Sequence, residues 1–125
     1  MILVDTSVWV EHLRRVDQRL VDLLDRALVL AHPFVLGEIA CGNLANRKPV
    51  LQLLQQLPMA VEAAADEVLR FIESSVLHGK GVGYVDVHLL AATVLTPGTT
   101  LWTRAKRLHE IADALGHAYS DAVRH

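Results

Sequence analysis

The stretch Ile2-Leu3-Val4-Asp5-Thr6-Ser7-Val8-Trp9-Val10 changes character in its middle. Ile2 to Val4 are aliphatic and suit a short buried strand. Asp5, Thr6 and Ser7 favour caps and turns, and Val8, Trp9, Val10 and Leu13 then open a helical spacing. The reading is a strand that ends in an aspartate and passes directly into a helix.

Outward from that stretch the alternation continues. Asp17 starts a second helix with Leu20, Val21, Leu24 and Leu28 on one face, running into a short strand candidate from Leu28 to Ala31. Pro33 suits a first helical turn, and the helix it opens carries Glu38 and extends through Ala45, with Gly42 weakening its end. Lys48 to Gln56 form a helix stopped by Pro58, Met59 to Glu62 a short strand, and Asp66 to Leu77 a helix. A glycine-rich loop, His78 to Gly83, precedes Tyr84 to Leu95, which is apolar nearly all round and therefore a buried helix ended by Pro97-Gly98. Thr99 to Thr103 is a strand candidate, and Arg104 to Leu115 a helix with Gly116 as its C-cap.

Strands alternating with helices predict the α/β class: a three-layer α/β/α fold with a mainly parallel central sheet, in a single domain covering residues 1–125. Right-handed crossovers place the carboxyl ends of the strands on one edge, where ligands collect in open α/β folds. Asp5 and Thr103 both fall at such ends.

Composition narrows the class. The chain has 125 residues, 52% of them apolar and 21% charged, with a mean hydropathy of +0.31. It is long enough to bury a core without disulfides. A formal net charge of −2 gives no global attraction to phosphate, so nucleic-acid binding has to rest on a local basic patch. The single Cys41 excludes an internal disulfide and a cysteine-built zinc site and fits a reducing compartment. With no basic leader and no apolar run of about 18 residues, the expectation is a soluble cytoplasmic protein with no membrane partner.

Three of the 14 acidic residues stand out by context. Asp5 ends a central strand, Glu38 lies in the apolar stretch from Phe34 to Cys41, and Asp86 sits in the first turn of the most apolar helix. Carboxylates in such settings repel one another unless they are protonated, hydrogen-bonded or neutralised by a cation. Each also has a simpler reading: Asp5 as a helix cap, Asp86 as a first-turn acid favoured by the helix dipole, Glu38 as a solvated residue. Together they make an all-oxygen set that suits Mg²⁺ or Mn²⁺ better than zinc.

The opening Ile2-Leu3-Val4-Asp5-Thr6-Ser7-Val8-Trp9, the mid-chain Glu38, the run Gly83-Tyr84-Val85-Asp86-Val87-His88-Leu89-Leu90-Ala91-Ala92 and the late Leu101-Trp102-Thr103-Arg104 stand in an order and spacing that resemble the PIN-domain ribonucleases of the VapC toxin type. The resemblance spans nearly the whole chain. It implies an α/β/α fold, Mg²⁺ or Mn²⁺ in an acidic pocket, endoribonuclease activity on RNA, a cognate VapB-like antitoxin and a homodimer. By position, Asp5, Glu38 and Asp86 match the metal-holding acids and Thr103 the hydroxyl residue that supports a carboxylate or a water. Ser7 reads as a local cap that can assist.

One position departs from the pattern. The resemblance implies an aspartate two residues after the threonine, and here that position is Ala105, while Asp113 is two helical turns farther on. A catalytically disabled module that still binds antitoxin is therefore the alternative function. A metal-dependent phosphatase using an aspartyl nucleophile is a further rival, disfavoured because it wants a second aspartate at position 7, which is Ser.

The other signals are weaker. The glycine-rich loop lacks the order of a phosphate loop and reads as a turn. His88 reads as a core or supporting group, and Trp9 and Trp102 as core or interface anchors. Arg104, Lys106 and Arg107, beside the proposed pocket edge, are the first candidates for RNA phosphate contacts, with Arg14, Arg15, Arg47 and Lys48 as others.

Overall fold

The computed structural model of the chain describes residues 1–120. The described chain runs β1 (Ile2–Val4), α1 (Thr6–Arg14), α2 (Gln18–Asp25), β2 (Val29–Leu30), α3 (Pro33–Cys41), α4 (Arg47–Gln56), α5 (Ala65–Ser74), α6 (Tyr84–Leu95), β3 (Thr100–Trp102) and α7 (Lys106–Ala114). The three strands form one parallel sheet in the order β2–β1–β3, with Leu3 opposite Leu30 and Leu101, and Val4 opposite Trp102. The α/β expectation and its parallel sheet hold.

Strand order dictates where a site can form. The path turns from β1 to β2 and then back past β1 to β3, so right-handed crossovers send the two sets of helices to opposite faces. The carboxyl end of β1 is thus the point where connections diverge, the usual place for a crevice in an open α/β sheet. Asp5 is the first residue beyond that end, and its backbone N–H donates to Trp102 O at 2.9 Å. The register carries Thr103 alongside it.

Local chemistry sets most helix boundaries. Asp17 caps α2 by accepting from the Arg19 N–H, and His32 caps α3 through Nδ1, which accepts from the Phe34 N–H at 3.0 Å, with Pro33 supplying the first turn. Gly42 ends α3, so this helix stops at Cys41 rather than continuing to Ala45. The helix α6 covers the span its composition predicts and buries Val87 through Thr93. Gly116 lies just past α7 at φ 79°, where a left-handed residue closes the helix.

The strand expected from Met59 to Glu62 is only a parallel bridge between Met59 and Ala31, because Ala31 supplies the last pairing groups on that edge. A matching bridge, Leu101 to Ala118, lengthens the opposite edge. Leu3, Val4, Trp9, Leu20, Leu54, Leu89, Leu101, Trp102 and Leu108 are buried at the centre, which settles Trp9 and Trp102 as core residues. No helix among the described residues is long and apolar enough to cross a membrane.

Candidate functional site

Asp5 occupies the N-cap position of α1, yet its side chain makes no capping bond. Instead Oδ2 accepts from Thr103 Oγ1 at 2.8 Å and from Ser7 Oγ at 2.6 Å. The two hydroxyls are themselves 3.3 Å apart, Ser7 Oγ accepts from the Arg104 N–H, and Thr103 Oγ1 accepts from the Ala105 N–H. Asp5 and Thr103 are buried. Both side-chain bonds fall on one oxygen, so this network fixes the carboxylate plane and leaves Oδ1 for another partner. Ser7 is more than a local cap: it joins the ends of β1 and β3.

Glu38 and Asp86 come from the helices on either side. Glu38 is exposed, on the Phe34–Gly37–Glu38–Cys41 side that α3 turns outward. Thr6 Oγ1 donates to Glu38 Oε1 at 2.5 Å and ties that carboxylate to the start of α1. Nothing in the sequence marked Thr6 for this role beyond its place next to Asp5. Asp86 lies half-buried in the first turn of α6.

Electrostatics joins the three. Burial pushes the Asp86 carboxyl above its ordinary value, the negative charge of Asp5 raises it further, and that of Glu38 adds to it, against the Gly83 backbone N–H, which favours the charged form. None of the three acids pairs with a cation among the described residues. The nearest strand-end cation, Arg104, is engaged elsewhere, with Nη2 at 2.8 Å from Asp17 Oδ2 and its guanidinium over the Trp102 ring. Arg104 is nonetheless exposed at the end of β3. Lys106 and Arg107 remain exposed, and Arg107 packs against Gly81, where a side chain would overlap its guanidinium.

Three carboxylates without a cationic partner among the described residues, one of them with its proton affinity raised by burial and by the other two, fit a hard divalent cation. Among the described residues no group of three or more His, Cys, Asp or Glu side chains stands, as placed, close enough to hold a metal ion. An open arrangement of this kind suits an ion that keeps several waters and uses only a few carboxylates, as Mg²⁺ does. Ala105, the N-cap of α7, offers no side-chain cap and no fourth carboxylate.

Two curated relatives match the whole chain. Ribonuclease VapC32 from two strains of Mycobacterium tuberculosis, CDC 1551 / Oshkosh and ATCC 25618 / H37Rv, is 46% identical to it over 123 residues, covering 98% of this chain and 99% of the relative. The chain belongs to the VapC family of PIN-domain ribonucleases. No family model matches it. Within a VapC chain, the strand-end Asp5, its hydroxyl partners and the two flanking acids lie at the place where this topology forms a crevice.

Proposed function

We propose that the chain is a metal-dependent endoribonuclease, the toxin of a VapBC-type toxin–antitoxin pair, hydrolysing RNA phosphodiesters at an acidic Mg²⁺ or Mn²⁺ site. The observation that carries this reading is the strand-end carboxylate of Asp5, oriented by Thr103 and Ser7, with Glu38 tied through Thr6 to the same end of α1 and neither acid paired with a cation among the described residues. The VapC32 ribonucleases, similar over nearly the full length, support the reaction class.

Asp5 and Asp86 would hold the principal ion, and Glu38 would complete or orient its water shell. When bound, such an ion supplies Lewis acidity and a water of lowered pKa for attack on phosphorus. Thr103 and Ser7 hold Asp5 in one orientation, so its free oxygen is presented without a rotamer search. Lys106 and Arg107 position the RNA backbone without reading its sequence. A second ion that would lean on position 105 lacks its ligand.

Partners follow from the same reading: a VapB-like antitoxin, an RNA substrate and a second copy of the chain in a homodimer, in the cytoplasm. A second reading, a module that keeps antitoxin binding but has lost cleavage, is favoured by Ala105 alone. The deciding experiment is cleavage of total cellular RNA with and without Mn²⁺, comparing the chain with Asp5→Asn. Manganese-dependent cutting that Asp5→Asn abolishes supports the nuclease; intact RNA in every lane, with no Mn²⁺ binding, leaves the module.

A further inference from the structure

Beside Glu38, α3 and α6 border a shallow, open apolar groove lined by Phe34, Gly37, Glu38, Cys41, Tyr84 and Val85. We propose that this groove is a nucleobase subsite, in which a base flanking the scissile phosphate stacks on Tyr84. The inference rests on the metal-site reading above, because Glu38 belongs both to that site and to the groove wall.

Continuity is the first argument. An RNA strand whose phosphate lies over the acids must place an adjoining nucleotide on the ground next to them, and the groove begins at Glu38. Chemistry is the second. Apart from Glu38, the lining carries no charge, so it offers the backbone no cation and suits a neutral aromatic face. Third, the platform is held in place. Tyr84 is half exposed, yet its ring meets the buried His88 ring edge-on at 4.6 Å and 87°, and Phe34 packs on the other side of the same histidine at 4.6 Å. Phe34 in turn meets the buried His32 at 5.3 Å. A ring braced in this way loses little freedom when a base lands on it. Gly37 faces open space, where a Cβ meets nothing within 4 Å, so a larger side chain can be placed there as a test.

The test uses short single-stranded RNA carrying 2-aminopurine at successive positions, mixed with the intact chain in EDTA and again in Mn²⁺. Stacking quenches this base, so the readout needs no cleavage, and failure of the metal site is recorded separately by the cutting assay on Asp5→Asn. Binding should quench strongly with the natural chain and with Tyr84→Phe, and hardly at all with Tyr84→Ala. Gly37→Leu adds bulk to the groove wall and should also abolish quenching. RNA affinity should fall about tenfold in both defective variants, the scale of one base–aromatic stack. Equal quenching in all four proteins, or none in any, overturns the proposal. So does unchanged RNA binding combined with weakened binding of a co-expressed antitoxin in Tyr84→Ala, which would give the groove to a protein segment.

Discussion

Thr103 Oγ1 donates a hydrogen bond to Asp5 Oδ2 across the ends of two paired strands, joining residues 98 positions apart in the chain. The parallel register of β1 and β3 makes this contact, with Val4 opposite Trp102. It converts a fold feature, the alignment of two strand ends, into a fixed carboxylate orientation at the point where the crossovers diverge.

Removing that hydroxyl should therefore cost both stability and activity. Thr103→Val preserves shape but leaves Asp5 short of one bond to a charged acceptor, a loss of about 1.5–3 kcal/mol. Thr103→Ser keeps the hydroxyl and should remain within ~1 kcal/mol of the natural chain, losing mainly a methyl group. Chemical denaturation and Mn²⁺-dependent RNA cleavage measured side by side check this. A Thr103→Val protein of natural stability and rate would show that the contact does not hold Asp5.

The raised proton affinity of Asp86 has a definite sign. A carboxylate whose folded pKa lies above the ordinary 3.8 favours folding most below that value, and the contribution is lost as pH rises through the folded pKa. Without metal, the natural chain thus gives up stability on reaching neutral pH. Asp86→Asn should melt higher than the natural chain at pH 7 in EDTA. Adding Mn²⁺ should reverse the order, since the ion relieves the repulsion only where the carboxylate remains. Thermal melts in the two buffers decide it; an Asp86→Asn variant that melts lower in EDTA would sink the argument.

Ala105 affects two properties at once. As the N-cap of α7 it leaves that helix without a side-chain acceptor, and an aspartate there would add a cap worth roughly 1 kcal/mol. The same aspartate brings a fourth negative charge toward Asp5 and Asp86. Ala105→Asp should gain little in EDTA, where cap and repulsion oppose each other, and should gain clearly in Mn²⁺. Its cleavage rate should rise about tenfold, the scale seen when groups that orient a metal site are altered. Equal rates at saturating metal would remove the importance of the fourth position.

The legible and illegible parts of the molecule differ in range. Strand β1 and helix α6 are readable because their signals are local: three aliphatic residues before Asp5, and the twelve mostly apolar residues from Tyr84 to Leu95. Asp5 and Thr103 are readable as strand ends for the same reason. The rest depends on contacts the chain makes at a distance. The pairing of Arg104 with Asp17 joins residues far apart in sequence, and whether Glu38, in its apolar stretch, faces the core or solvent depends on how α3 packs, which turns it outward beside Thr6. The short Met59 bridge failed as a strand because its partner edge ends at Ala31. Periodicity identifies faces; it does not say which face meets which.

His32 offers a last test, with the opposite pH sign to Asp86. Its ring is fully buried, and burial lowers its proton affinity below the ordinary 6.5, helped by nearby His88 and opposed by the charge of Glu62. The Nδ1 atom accepts from the Phe34 N–H, so the neutral ring carries its proton on Nε2, which has no partner among the described residues. Above pH 6.5 the ring is neutral in both folded and unfolded chains and contributes no pH dependence. Below it, the unfolded chain takes up a proton that the folded chain refuses, and stability falls until the folded pKa is passed. His32→Asn keeps an acceptor for the α3 cap and removes the titration, so its stability should decline less than that of the natural chain between pH 6.5 and 5. His32→Ala loses the cap and should be weaker by ~1 kcal/mol at every pH, with less added acid sensitivity. Denaturation midpoints of the three proteins across that range separate the two effects: parallel pH profiles for the natural chain and His32→Asn would mean that His32 is not the group that titrates.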